Sequence, residues 1–279
     1  MFYGCTSLVS APDLPATQLA YGCYRSMFGN CTSLKTAPAL PATTLAESCY
    51  QTMFRDCISL TTAPELPATQ LTYSCYSAMF YKCSSLQNAP QLPATKMESD
   101  CYREMFSGCT SLTSAPSLPA TELASTCYRS MFKDCTSLTQ VPDLPATTLA
   151  RKCYQTMFCN CGSLKTLPIL PATTLMEACY NEMFSGCTRI RLSTVSVDKY
   201  TVPYRIPSTE ETGTNAEDAV GDMFANTGGP FVGTPDLNTI YYLHDGSGYI
   251  LRVNGKPVNK LNGKRVSHFT YNGTTYEVA

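Results

Sequence analysis

Histidine is scarce in this chain of 279 residues: there are two, His244 and His268, and neither adjoins a repeated serine or cysteine. Acid–base and nucleophilic catalysis are thereby left without their usual proton carrier. The run His244-Asp245-Gly246-Ser247-Gly248 holds the residue types of a triad. Neighbours in a glycine-rich turn cannot converge on one another, however, so it reads as a hairpin loop. No Walker-type loop, dinucleotide fingerprint or His-Glu-x-x-His helix occurs, and we expect no enzyme and no cofactor. Net charge is also nearly absent, at −1, which excludes a global pull toward nucleic acid or an anionic membrane. No apolar run approaches the length of a membrane span. A basic, apolar, cleavable start is missing as well, because residue 1 already lies inside a repeat, so the chain is expected to be the mature part of an exported protein.

What the chain has in abundance is one sentence of 26 residues, Met-Phe-x-x-Cys-x-Ser-Leu-x-x-Ala-Pro-x-Leu-Pro-Ala-Thr-x-Leu-Ala-x-x-Cys-Tyr-x-x. Its Met-Phe pairs fall at Met1, Met27, Met53, Met79, Met105, Met131, Met157 and Met183 without an insertion. A fixed period of that length predicts a solenoid whose turns stack in register. Stacking would gather Leu34, Leu60 and Leu86 into one inner column and Leu40, Leu66 and Leu92 into another.

Within a turn, Leu19, Cys23, Met27 and Cys31 recur at i, i+4, with Ala20, Tyr24 and Phe28 one step round. This predicts a short helix from Leu19 to about Asn30, with Thr17 as N-cap and Glu122 favourably placed at the first helical position of its own turn. Ser33 to Ala37 reads as a strand that Pro38 stops. Strands pairing at about 4.8 Å against helices packing at about 8–10 Å would curve the stack, with the strands concave.

The core Met27-Phe28-Gly29-Asn30-Cys31-Thr32-Ser33-Leu34 resembles the BspA-like leucine-rich repeats of bacterial surface proteins over residues 1–190. The resemblance implies a secreted or surface-attached protein that adheres to host proteins or other cells. With the pattern above, the expected fold class is α/β, a leucine-rich-repeat-like right-handed solenoid of 26-residue turns with a C-terminal antiparallel β cap. The Ala-Pro-x-Leu-Pro run, as in Ala37 to Pro41, departs from the commoner family repeat, which flanks its strand with aliphatic residues.

Sixteen cysteines invite a disulfide reading. Eight fall in the column of Cys31 and seven in that of Cys23, with Cys159 alone in a variable slot. Two helical turns would separate Cys23 from Cys31 by about 12 Å, beyond the ~7 Å that a disulfide tolerates between Cα atoms. Buried free thiols are the expectation, with Cys159 the one exposed and reactive thiol. Successive cysteines eight and eighteen apart do not suit a metal cluster. The Tyr column (Tyr24, Tyr50, Tyr76 and onward) reads as core with its hydroxyls hydrogen-bonded, rather than as a sugar-stacking platform.

After Arg189 the pattern blurs. Met223-Phe224-Ala225-Asn226-Thr227 reads as a last helix end with Thr in place of Cys, so residues 191–237 are expected to form a degenerate repeat with an insertion. Asp198, Glu210, Glu211, Glu217, Asp218, Asp222, Asp236 and Asp245 crowd there as a solvated acidic loop, without the spacing of an EF-hand. Residues 238–279 alternate apolar runs with Asn254-Gly255, Asn262-Gly263 and Asn272-Gly273, a hairpin module. Its Arg252, Lys256, Lys260, Lys264 and Arg265 form a possible basic patch for an acidic polysaccharide or nucleic acid. Edge lysines that discourage aggregation are the commoner explanation, and no nucleic-acid partner is expected.

The expected function is an extracellular adhesion or ligand-binding module, recognising a protein or glycan at a host or cell surface, without membrane insertion. A structural or receptor-binding component of a phage or secreted assembly is the alternative, and a cysteine-based redox or metal-handling protein a distant one. Ligand contacts are expected from the varied slots after each Ser-Leu, on the concave side: Lys35, Thr36, Thr62, Gln87, Asn88, Gln140 and Lys165.

Overall fold

The computed structural model describes residues 1–209 and 211–246, and beyond these only the backbone of short strands between Arg252 and Glu277. Its first two hundred residues stack as a coil in which residues 26 apart lie on one another. Two parallel ladders of single-residue bridges mark this register. One joins Ser10, Thr36, Thr62, Asn88, Ser114 and Gln140; the other joins Gln18, Thr44, Gln70, Lys96, Glu122 and Thr148. Between Ser33 and Ala37 the expected strand shrinks to one bridge, because Pro38 and Pro41 follow at once and neither has an N–H to give.

No helix occurs among the described residues, and the expected one over Leu19–Asn30 is replaced by a ribbon of successive four-residue turns. In the second full turn Ser48, Thr52 and Asp56 all have positive φ, at 54°, 55° and 59°, and the same three slots are left-handed in the other complete turns. Each reverses the chain, so two adjacent side chains point inward per step: Cys49 with Tyr50, then Met53 with Phe54, then Cys57. Thr17 therefore caps nothing, and Glu122 belongs to a bridge rather than to a helix dipole.

The ribbon divides its backbone hydrogen bonds by parity. Alternate N–H groups close the local turns, as Met53 N to Tyr50 O and Arg55 N to Thr52 O. The intervening ones reach the next turn: Ser48 to Tyr73 O, Tyr50 to Cys75 O, Thr52 to Ser77 O, Phe54 to Met79 O and Asp56 to Tyr81 O, at 2.8–3.0 Å. On the ribbon every such bond runs forward along the chain. Both sides of the coil are thus held by β-type contacts, and the helix-against-strand mismatch that predicted curvature is removed.

Inside, Leu34, Leu60, Leu86, Leu112, Leu138 and Leu164 are fully buried in one column and Leu40 to Leu170 nearly so in the other. Phe2, Phe28, Phe54, Phe80, Phe106, Phe132, Phe158, Phe184 and Phe224 stack with ring centroids 5.5–5.8 Å apart and planes within 12°. The Tyr column runs beside it at 5.7–6.0 Å. The hydroxyls of Tyr50 and Tyr180 have no hydrogen-bond partner, contrary to expectation.

Residues 217–225 continue the stack, with Tyr180 N bonding Ala219 O and Phe184 N bonding Met223 O; the partner lies 39 positions on, where 25 is usual. The 14 extra residues pass through β1 (Leu192–Ser193) and β2 (Tyr200–Arg205), which flank β3 (Ile240–His244) in an antiparallel sheet. Arg205 fastens this insertion: its guanidinium donates to the carbonyls of Pro207, Thr209, Glu211 and Asn238. Gly228 passes so near residue 188 that a Cβ there would meet Thr188 O at 2.1 Å, which is why glycine is needed. Three hairpins follow, pairing β4 (Arg252–Val253) with β5 (Lys256–Pro257), β6 (Lys260–Leu261) with β7 (Lys264–Arg265), and β8 (His268–Tyr271) with β9 (Thr274–Glu277).

Candidate functional site

A stacked coil offers two kinds of position: inner columns that nearly repeat, and outer slots that vary. All seven slot residues singled out from the sequence are exposed. Thr36, Thr62, Asn88 and Gln140 are themselves bridge residues, so their Cα atoms stand in one parallel ladder, and Lys35 and Gln87 each precede a residue of that row; Lys165 occupies the same slot as Lys35 beyond the ladder's last bridge at Gln140. The backbone behind them is tied by Lys35 N to Val9 O at 3.0 Å and Thr61 N to Lys35 O at 3.4 Å. Beside the row lies a shallow apolar cavity of about 330 Å³, lined by Pro38, Ala39, Pro41, Pro64, Glu65 and Pro67. The second ladder, with its neighbouring Thr43, Thr69 and Thr95, borders the same face and is exposed too. Sequence reasoning passed over that second row because it had been placed at a helix start.

The basic patch Arg252, Lys256, Lys260, Lys264 and Arg265 has a described backbone in its strands, while its side chains lie outside the described residues, as do Glu210 and Ser247. His244 ends β3, and its Nδ1 accepts the Gly246 N–H at 3.1 Å, so it serves a turn. Burial and the charge of Arg191 hold its imidazole below the usual range.

The thiols are assigned to the interior. All sixteen are free, and fourteen are buried; Cys5 and Cys23, in the first turn, are the exposed ones. Cys159, expected to be exposed, is only 7% accessible. Its short side chain sits among the longer Lys133, Asp134 and Glu182, and burial raises its thiol above the ordinary range. In the column of Cys31 each Sγ–H donates to the phenylalanine carbonyl of the preceding turn: Cys57 to Phe28 O, Cys83 to Phe54 O and Cys109 to Phe80 O, each at 3.1 Å. That carbonyl also accepts an N–H from its own turn, as Phe80 O does from Cys83. A residue small enough for the column and able to donate is required there, and cysteine meets both conditions. Burial pushes Cys49 and Cys57 up to about 12, so they stay protonated and inert at neutral pH. No cluster of His, Cys, Asp and Glu able to hold a metal occurs among the described residues.

The ribbon has an outward side as well, carrying the positions of Tyr21, Arg25 and Gly29 in every turn, and sequence reasoning missed it by reading it as a helix. These slots vary freely: Tyr21 gives way to Glu47, Tyr73, Ser99, Ser125 and Arg151.

Compared with known proteins, the chain matches the model of the BspA type leucine rich repeat region in six copies, over residues 1–116 and 99–202. No curated protein and no solved structure matches.

Proposed function

Since the chain belongs to the BspA-type leucine-rich repeat family, we propose that it is an extracellular adhesion module that binds a protein or glycan through the face between its two bridge ladders. The observation that carries this reading is the register of the exposed slots. Lys35, Thr36, Thr62, Gln87, Asn88 and Gln140 repeat along one axis with their backbone fixed, and Lys165 continues their slot in the next turn, so a ligand lying along the coil meets several turns at once. Such summed contacts need little from any single turn. Repeats of this family are consistent with protein binding.

The same reading assigns residues 1–190 to the binding coil, 191–237 to a degenerate last turn and 238–279 to a β-hairpin cap. No helix of the described residues is long and apolar enough to cross a membrane, and the surface of a bacterial cell is the proposed location. The test is a panel of immobilised matrix proteins and glycans, probed with the wild type and with Lys35, Gln87, Gln140 and Lys165 all changed to Ala. Binding should weaken with thermal stability unchanged. Undiminished binding, with loss on neutralising Lys256, Lys264 and Arg265 instead, would move the site to the terminal hairpins.

A further inference from the structure

Tyrosines occupy the outward slots of the ribbon in its first turns, whereas farther along those slots hold Ser99, Ser107, Ser125, Arg129, Lys133 and Arg151. Tyr3, Tyr21 and Tyr73 are 62%, 71% and 50% exposed, and Ile58 and Arg55 stand out between them. Farther along, the slots that hold Tyr73 and Tyr81 hold Ser99 and Ser107 in the next turn, and Ser125 and Lys133 in the one after. The coil does not need the aromatics. With serine in place the ribbon bonds are unchanged, Tyr102 N still meeting Cys127 O at 3.1 Å and Gly108 N meeting Lys133 O at 2.8 Å.

Two of the rings on this side, those of Tyr3 and Tyr81, are held rather than loose. A Cβ on Gly29 would approach the Tyr3 ring to 3.0 Å, so the absence of a side chain there makes the seat on which that ring lies. The Arg55 guanidinium sits 4.7 Å over the Tyr81 ring while its Nε bonds Asp56 at 3.1 Å, and Lys82 Nζ lies 5.3 Å from the same ring. Rings and a guanidinium fixed in advance lose little entropy on contact with a partner. Tyrosine and arginine are also the residue types that dominate binding energy at protein interfaces.

We propose that this Tyr/Arg side of the ribbon, over residues 3–82, is a second interaction surface, distinct from the ladder face, and that its partner is a protein segment presenting carboxylates among aromatic side chains. The sign of the charge follows from the slots. Arg25 and Lys82 are exposed cations there, the Arg55 charge is shared with Asp56, and Glu47 is the opposing exposed acid. A partner bearing acids is drawn to that surplus, and aromatic groups between its acids can stack on Tyr21 and Tyr73.

The test uses a glutamate–tyrosine random copolymer as probe, with dextran sulfate as a charge-only comparison, both against the immobilised whole chain. Changing Tyr21, Arg55, Tyr73 and Tyr81 together to Ser, a residue the coil already accepts in these slots, should weaken copolymer binding about tenfold or more. Ser99→Tyr, which lengthens the patch by one turn, should tighten it and so guards against a misfolded loss variant. The ladder variant described above should bind the copolymer like the wild type. No binding by the wild type, equal binding of dextran sulfate, or loss in the ladder variant alone would overturn the proposal; the last would place copolymer binding on the ladder face, and none of the three would count against the ladder reading, which its own panel tests.

Discussion

Removing Met79–Glu104 deletes one turn of 26 residues, and the geometry says what the new junction meets. Phe54 N, bonded to Met79 O, would face Met105 O instead. Phe80, 5.6 Å from both Phe54 and Phe106, disappears, and those two rings become neighbours. Every column closes in register because each turn presents the same inner residues. The stability lost should be that of one interior turn, about 1–4 kcal/mol at 0.05–0.15 kcal/mol per residue. Guanidinium unfolding followed by far-UV circular dichroism reads this directly: the transition stays cooperative, and its denaturant dependence falls by about a tenth with the surface removed. Deleting half a turn, Met79–Gln91, gives the contrast. It sets ribbon residues against ladder residues, buries exposed slots and should abolish the transition. Leu86→Ala, which empties one fully buried site, should cost about 2–5 kcal/mol, as much as a whole deleted turn. Collapse of the full-turn deletion, or survival of the half-turn deletion at equal stability, would refute stacking in register.

Titration with a thiol reagent should find about two reactive cysteines in native protein, Cys5 and Cys23, and all sixteen after denaturation; rapid reaction of Cys159 in the native state would contradict its burial. The buried thiols also set an alkaline limit. Their folded values lie above the ordinary 9.0, at about 12 for Cys49 and Cys57, so their contribution is whole below about pH 9 and is lost as pH rises toward 12. A chemical-denaturation midpoint that stayed flat from pH 8 to 11 would count against it. Lys152→Gly, at φ 56° in the slot that Gly22 fills at 58°, should raise stability by up to about 1 kcal/mol, where a glycine elsewhere would lower it; a lower melting temperature would show that the left-handed slot carries no strain.

The stacking register was legible because Phe28, Phe54 and Phe80, or Cys31, Cys57 and Cys83, recur without an insertion, and a column needs nothing beyond that. The helix was misread from the same regularity. Leu19, Cys23, Met27 and Cys31 are spaced by four each time, and in a helix of 3.6 residues per turn each such step drifts by about 40°. Cys31 would lie about a third of the way round from Leu19. A real helical stripe mixes threes with fours to cancel that drift, and the unbroken fours were the available sign of a ribbon with a four-residue step. Two of the left-handed slots left little trace in residue type, since Ser48, Ala78, Glu104 and Lys152 share no backbone preference that would betray φ above zero; the third, which holds Asn30, Asp56, Gly108, Asp134, Asn160 and Gly186, carried residues that favour it. The exposed ladder slots were legible because they follow Ser-Leu at a fixed offset. The Tyr/Arg side of the ribbon was not, being assigned to a helix that is not there.

The forward direction of the ribbon bonds has an electrostatic corollary. In an ordinary parallel sheet the bonds between two strands alternate in sense along each strand and their dipoles largely cancel. Here five peptide groups per interface point the same way, N–H toward the C-terminal end and C=O toward the N-terminal end, each peptide unit worth about 3.5 D. The coil therefore carries a long-axis dipole whose positive pole lies at its last turn, the reverse of an α-helix read along the chain. Glu217, Asp218 and Asp222 belong to that last turn, and its Asp222 N–H and Phe224 N–H are taken up by Thr234 Oγ1 and Gly233 O. The acids Glu217, Asp218 and Asp222 thereby acquire a physical reason: they sit where the stacked peptides of the whole coil present their positive end.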